Sequence, residues 1–201
     1  MEATATNLRE ATPIRVLGIV SPGAPGPYYL MARDEAARVG DELAERVRAE
    51  EPGVVVLIDL TGIETRASCL ALLLGAPLRL IQDPEGTPEL GDRYVVLKGP
   101  LGSNERDAHL ALADEKLVAI VREASGTRLI GKVDRMVEET YRISVRHREV
   151  TSALLTEPPL GLKLAAANGR VTKLHKLGLL HLSREEFVES GGRRFVYNAV
   201  R

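Results

Sequence analysis

The chain has little of the chemistry that marks several protein classes. It holds one cysteine, Cys69, so no disulfide can close within it and no cysteine-based zinc cluster can form. It has no tryptophan, two phenylalanines and five tyrosines, too few rings for the stacking platforms that hold single-stranded nucleic acids. No apolar run approaches the ~18–20 residues of a membrane span. The longest, residues 69–74, is expected to stop at Gly75-Ala76-Pro77. The N-terminal MEATATNLREATP carries acids and no apolar core, unlike a signal peptide, so a reducing cytoplasm is the expected location. His-Glu-x-x-His, Gly-x-Ser-x-Gly, a Walker lysine and clustered His/Cys sets are all missing. No enzyme activity, cofactor or metal is therefore expected.

What is present is an uneven distribution of charge. The 201 residues carry 27 Lys+Arg and 28 Asp+Glu, a net charge of −1. Residues 128–201 hold 14 basic and 8 acidic residues (+6), which leaves 13 basic and 20 acidic (−7) in residues 1–127. An acidic domain followed by a small basic one is the arrangement this predicts, and a basic small domain points toward nucleic acid.

Residues 1–13 are polar and Thr/Ala-rich, and read as a flexible tail. Strands are expected at 14–20, 54–60, 93–99, 116–123 and 127–133, and helices at 29–49, 67–74 and 104–112. That alternation predicts an α/β domain over residues 14–133. The loop 21–27 follows a strand and precedes a helix, but Pro22, Pro25 and Pro27 remove N–H groups that a phosphate cradle would use. A stiff connector is the simpler reading; a Rossmann-like nucleotide-sensing domain is the alternative. From residue 134 the pattern changes. Asp134 can cap a helix to about Arg146, Thr151 a short one to Leu155, and a longer helix spans 161–177 with Gly178 as its stop. Two strands then flank a turn at Ser190-Gly191-Gly192.

The segment ANGRVTKLHKLGLL, a strand, ESGGRRF and a last strand YNAV resemble a winged helix-turn-helix, over residues 134–201. The resemblance implies that helix 161–177 enters the major groove and that the Gly191-Gly192 hairpin is the wing. The residues agree. Leu164, Ala167, Val171 and Leu174 share one helical face and would pack inward. Ala165, Ala166, Gly169, Thr172, Lys173 and Lys176 lie opposite, with Asn168 and Arg170 flanking. Small residues let a backbone approach base edges, Asn168 can pair with adenine and Arg170 with guanine, and lysines can neutralise phosphate. Arg193 and Arg194 follow the wing turn, with Phe195 and Tyr197 as expected core neighbours. The DNA-binding set is thus Lys163, Asn168, Arg170, Thr172, Lys173, Lys176, Arg193 and Arg194, with no metal site: His175 and His181 read as ordinary polar residues. Docking a protein on the Ala-Ala-Gly face is the alternative, and DNA is the favoured reading.

MARDEAARVGDELAERVRAEEPGVVVLIDLTGIETRASCLALLLG is similar to the STAS-like family, related to anti-sigma-factor antagonists. The matching features are a strand ending Asp59-Leu60-Thr61-Gly62-Ile63 and a helix starting near Ala67-Ser68-Cys69. Antagonists of this kind present Asp-Ser-Ser-Gly, with phosphorylation on the second serine. Here Cys69 holds that place and the acidic neighbour is missing, which argues against regulatory phosphorylation at Ser68. Cys69, beside four leucines, reads as a buried small hydrophobe. Asp59 reads as a turn organiser. The expected protein is a STAS-like α/β domain joined to an α+β winged helix. It would be a homodimeric transcriptional regulator that binds double-stranded DNA, with a protein partner or small-molecule effector at the N-terminal domain and no membrane. The alternative is a partner-switching adaptor.

Overall fold

The run Val54–Asp59 forms a strand whose six residues are all buried. A strand covered on both faces reads as continuous apolar sequence, and this one lies inside the sheet that organises the molecule. The computed structural model describes residues 8–20, 27–83, 87–188 and 192–201. In chain order the first half holds β1 (Arg9–Glu10), β2 (Ile14–Arg15), α1 (Val16–Val20), β3 (Tyr28–Leu30), α2 (Arg33–Ala49), β4 (Val54–Asp59), β5 (Ile63–Thr65) and α3 (Ala67–Ile81). There follow β6 (Tyr94–Lys98), α4 (Glu105–Asp114), β7 (Val118–Glu123), β8 (Gly126–Gly131), α5 (Arg135–Arg146), α6 (Leu164–Lys176), β9 (Leu180–Val188) and β10 (Gly192–Ala199). The fold is mixed α/β, with six α-helices among the described residues.

The six-stranded sheet runs β1-β4-β6-β7-β8, with β2 also on β4. All its pairings are parallel except β7 with β8. Alternate residues of each strand point to opposite faces. Val54, Val56, Ile58, Val95, Leu97, Ala119 and Val121 meet α2, α3 and α4 in one core. Gly40 lets α2 and α3 touch: a Cβ there would stand 2.4 Å from the Leu72 carbonyl oxygen. Val55, Leu57, Tyr94, Val96, Val118 and Ile120 face the other way and meet α5, α6 and the β9–β10 hairpin in a second core. The elements that follow residue 134 thus share an apolar cluster with the second face of the sheet. Tyr94 and His181, both buried, join the two at 2.9 Å between the hydroxyl and Nδ1.

Several expectations are corrected. Residues 14–20 make only two strand residues before turning helical. Ile14 and Arg15 pair with Ile58 and Asp59, where β4 ends, so the rest of the run has no ladder to join. Leu8–Ala11 is no free tail: Arg9 and Ala11 donate backbone hydrogen bonds to Gly53 and Val55. Helix 29–49 begins only at Arg33, because Tyr28–Leu30 pairs with β5. The helix expected to end at Gly75-Ala76-Pro77 runs on to Ile81. Pro77 removes one i→i−4 bond, and the burial of Leu78, Leu80 and Ile81 beyond it offsets the loss. The residues 1–7, 21–26 and 189–191, which include most of the supposed loop and the wing turn, lie outside the described residues.

Candidate nucleic-acid interface

Helix α6 starts at Leu164, three residues later than expected, after Gly161 in a left-handed conformation (φ 56°). Lys163 occupies its N-cap position without a side-chain cap. Gly178, at φ 66°, stops it as the sequence suggests. Ala167, Val171 and Leu174 are buried in the second core, where α6 packs on α5 and β9. Leu164, expected to pack inward with them, is 58% exposed. It sits in the first turn, on the wall of a groove that α6 forms with the hairpin. Ala165, Ala166, Asn168, Gly169 and Thr172 are all exposed, so the small-residue face is open to a partner.

The basic residues of α6 are less free than their sequence position implied. Lys173 reaches α5, where its ammonium meets the Asp134 carboxylate at 2.6 Å. That same carboxylate caps α5 by accepting from the Val137 N–H at 2.8 Å. Burial opposes the charge on Asp134, but Lys173 and the capping N–H outweigh it and hold its carboxyl below the usual value. Arg170 donates to the Thr140 hydroxyl at 3.4 Å. Lys176 is half-buried in the last turn. Arg170 and Lys173 thus clamp α6 to α5, and either must leave its partner to reach a base or phosphate.

The hairpin repeats this pattern. Val150 forms an isolated antiparallel bridge with Tyr197, so the order is helix, bridge, short helix, helix, hairpin. Arg193 lies opposite Phe187 and Arg194 opposite Glu186. Arg193 pairs with Glu185 at 3.1 Å and stacks over the Phe187 ring, 5.7 Å from its centroid; Arg194 pairs with Glu186. Phe187 is 82% exposed. Phe195, expected in the core beside Tyr197, is 44% exposed: the two share a face of β10, but Phe195 lies one pleat nearer the hairpin turn, on the rim of a groove, while Tyr197 joins the core. A groove between α6 and the hairpin is lined by Asn168, Thr172, Arg193, Arg194 and Phe195, which brings both parts of the expected site together.

On the opposite flank of α6 lies a groove that sequence reasoning missed. Arg135, Arg142 and Arg146 from α5 line it together with Arg170. Their spacing places the α5 arginines along one helical face, a pattern readable in the sequence. Arg135 pairs with Glu139 at 2.7 Å and Arg142 with Glu138 at 3.7 Å, while Arg146 forms no ion pair among the described residues.

In the acidic half, Asp59 organises a turn, accepting from the Thr61 N–H at 2.9 Å and from Lys98 at 2.8 Å. Burial resists its charge, yet these donors prevail and lower its pKa. Cys69 is buried, its thiol 3.5 Å from the Met31 carbonyl oxygen, and Ser68 is half-buried in the first turn of α3. His175 bonds the Leu180 carbonyl through Nδ1 at 2.9 Å. Among the described residues no group of three His, Cys, Asp or Glu is placed to hold a metal ion, and no helix is long and apolar enough to cross a membrane. No protein-family model, curated protein or solved structure matches the chain.

Proposed function

We propose that the chain is a DNA-binding regulator in which residues 134–201 read duplex DNA and the α/β layers serve dimerisation, sensing or protein contact. One observation carries the reading. Helix α6 buries Ala167, Val171 and Leu174 and turns outward a face of Ala165, Ala166, Asn168, Gly169 and Thr172, small enough to approach base edges and flanked by arginines on both sides. The order of helices, bridge and hairpin supports a winged helix-turn-helix, and the STAS-like reading of the acidic half stays with the sequence motif. A homodimer on a two-fold site would lengthen the few base pairs that one such helix reads.

A protein-docking adaptor is the second reading, favoured by the acidic partners of Arg193 and Arg194 and by the exposure of Phe187. Selection of duplexes from a random pool, followed by titration across salt concentrations, separates the two. Phosphate neutralisation releases counterions, so DNA binding must weaken steeply with salt. Failure to enrich any duplex, with no salt-dependent binding, would leave the adaptor.

A further inference from the structure

Away from α6, a cleft of about 320 Å³ opens where the sheet meets the far end of the C-terminal layer. That is near the lower end of small-molecule sites, about 300–1,000 Å³. Four arginines from separate parts of the chain line it: Arg9 on β1, Arg122 on β7, Arg148 after α5 and Arg201 after β10, with His147 beside them. One acid, Glu10, also lines it, paired with Arg122 at 2.6 Å; Arg122 further bonds the main-chain oxygen of Arg201, and Arg9 pairs with Glu51 at 2.6 Å. Arg148 and His147 make no side-chain hydrogen bond or ion pair among the described residues, and the Asn198 side-chain amide lies 2.9 Å from the Arg148 carbonyl oxygen, the geometry of an amide N–H donating to it.

A second observation concerns Arg122 itself. The Nε–H of Arg122 is buried and meets no acceptor among the described residues. A buried donor without an acceptor is costly, and native structures seldom keep one without a reason. A turn of the Arg122 guanidinium toward the cleft on binding would let a ligand oxygen satisfy that donor, and the same anion would give the Arg148 guanidinium an ion-pair partner. Guanidinium forks match the planar or tetrahedral oxygens of carboxylate and phosphate.

We propose that this cleft binds a small, multiply charged oxyanion, phosphate- or carboxylate-based, that bridges the sheet and the C-terminal layer. The site shares no residue with the expected DNA-binding set, so it stands or falls independently of that reading.

Calorimetric titration of the full chain at low ionic strength, with pyrophosphate in one arm and citrate in the other, tests it. Saturable binding of at least one is expected, and the arms tell which source the site prefers. Arg148→Gln, on an exposed side chain without an ion pair, should weaken it about tenfold, the worth of one charge-assisted hydrogen bond. Arg122→Lys keeps the charge but removes the Nε donor and should weaken it similarly, with circular dichroism melting to show that the variant is folded. No binding of either anion, or binding that Arg148→Gln leaves unchanged, would overturn the proposal. So would displacement of pyrophosphate by duplex DNA, because the cleft would then belong to the nucleic-acid face.

Discussion

Replacing Tyr94 with Phe removes one oxygen at the seam between the two halves of the chain. Tyr94 is 1% exposed and His181 5%, and their hydroxyl–Nδ1 contact is 2.9 Å. Burial raises the Tyr94 pKa well above that of a free phenol, so the hydroxyl stays protonated across the usable pH range. The ring itself, packed with Val55, Leu57 and Val96, is retained, so little cavity forms. The loss is that of a buried hydrogen bond whose partner nitrogen is deprived of it, about 1–3 kcal/mol. For a chain of this length each kcal/mol lowers Tm by roughly 2–4 °C, so a fall of about 2–12 °C is expected. The distribution of the effect matters more than its size. If the sheet and residues 134–201 share one core, urea unfolding followed by hydrogen exchange should show β4, β6 and α6 losing protection together, and Tyr94→Phe should move them equally. Two separate transitions, with only the C-terminal one shifted, would refute the shared core and restore two independent domains.

Other outcomes follow from the same geometry. Asn168→Ala and Arg170→Ala should change sequence preference, a good bidentate base contact being worth about 1–3 kcal/mol, whereas Lys173→Ala and Lys176→Ala should weaken all duplexes alike. Four variants that bind like the parent in an anisotropy titration would remove α6 as the reader. Arg193→Ala with Arg194→Ala should flatten log K against log salt by up to ~1.8, at ~0.9 per phosphate contact; an unchanged slope and affinity would favour protein docking. Acid should destabilise the fold. Asp59 and Asp134 have lowered pKa values in the folded state, so their stabilisation is complete above the unfolded carboxylate value and is lost as pH falls through the lowered ones. Urea midpoints measured downward from pH 5 should decline, and less steeply in Asp134→Asn, which keeps an oxygen for the Val137 N–H.

The parts of the fold that were legible are those whose cause is local. Val54–Asp59 is apolar throughout because both faces are covered, and Asp134 and Gly178 bound their helices through contacts within a few residues. The misread parts depend on remote partners. Nothing within residues 14–20 says that β4 ends at Asp59, and nothing near Pro77 says that Leu78, Leu80 and Ile81 have a core waiting for them. The covering of the sheet's second face was likewise hidden: α6 packs on α5 and its own hairpin as a local reading expects, and nothing within residues 134–201 says that this core continues into Tyr94, Val96 and Ile120.

The candidate site divides along the same line, and the division bears on how it works. Which α6 residues face outward follows from helical period alone, and Ala165, Ala166, Asn168, Gly169 and Thr172 are where that period puts them. How available the cations are does not follow, because a charge is defined by its partners. Arg170 and Lys173 are engaged by Thr140 and Asp134 on α5, and Arg193 and Arg194 by Glu185 and Glu186 on the facing strand. Exposed pairs of this kind are worth roughly 0.2–1 kcal/mol, so an approaching phosphate can compete for the arginines and lysines at modest cost. On the proposed DNA-binding reading the acids would act as a filter. They would weaken contacts with an anion that reaches only one cation, whereas a duplex engaging α6 and the hairpin together would overcome several of them at once. On this argument Glu185→Gln with Glu186→Gln should raise affinity for all duplexes, and more for unselected sequences than for selected ones. Anisotropy titrations of both duplex classes measure the ratio. A uniform gain would mean that the glutamates set affinity without sharpening specificity.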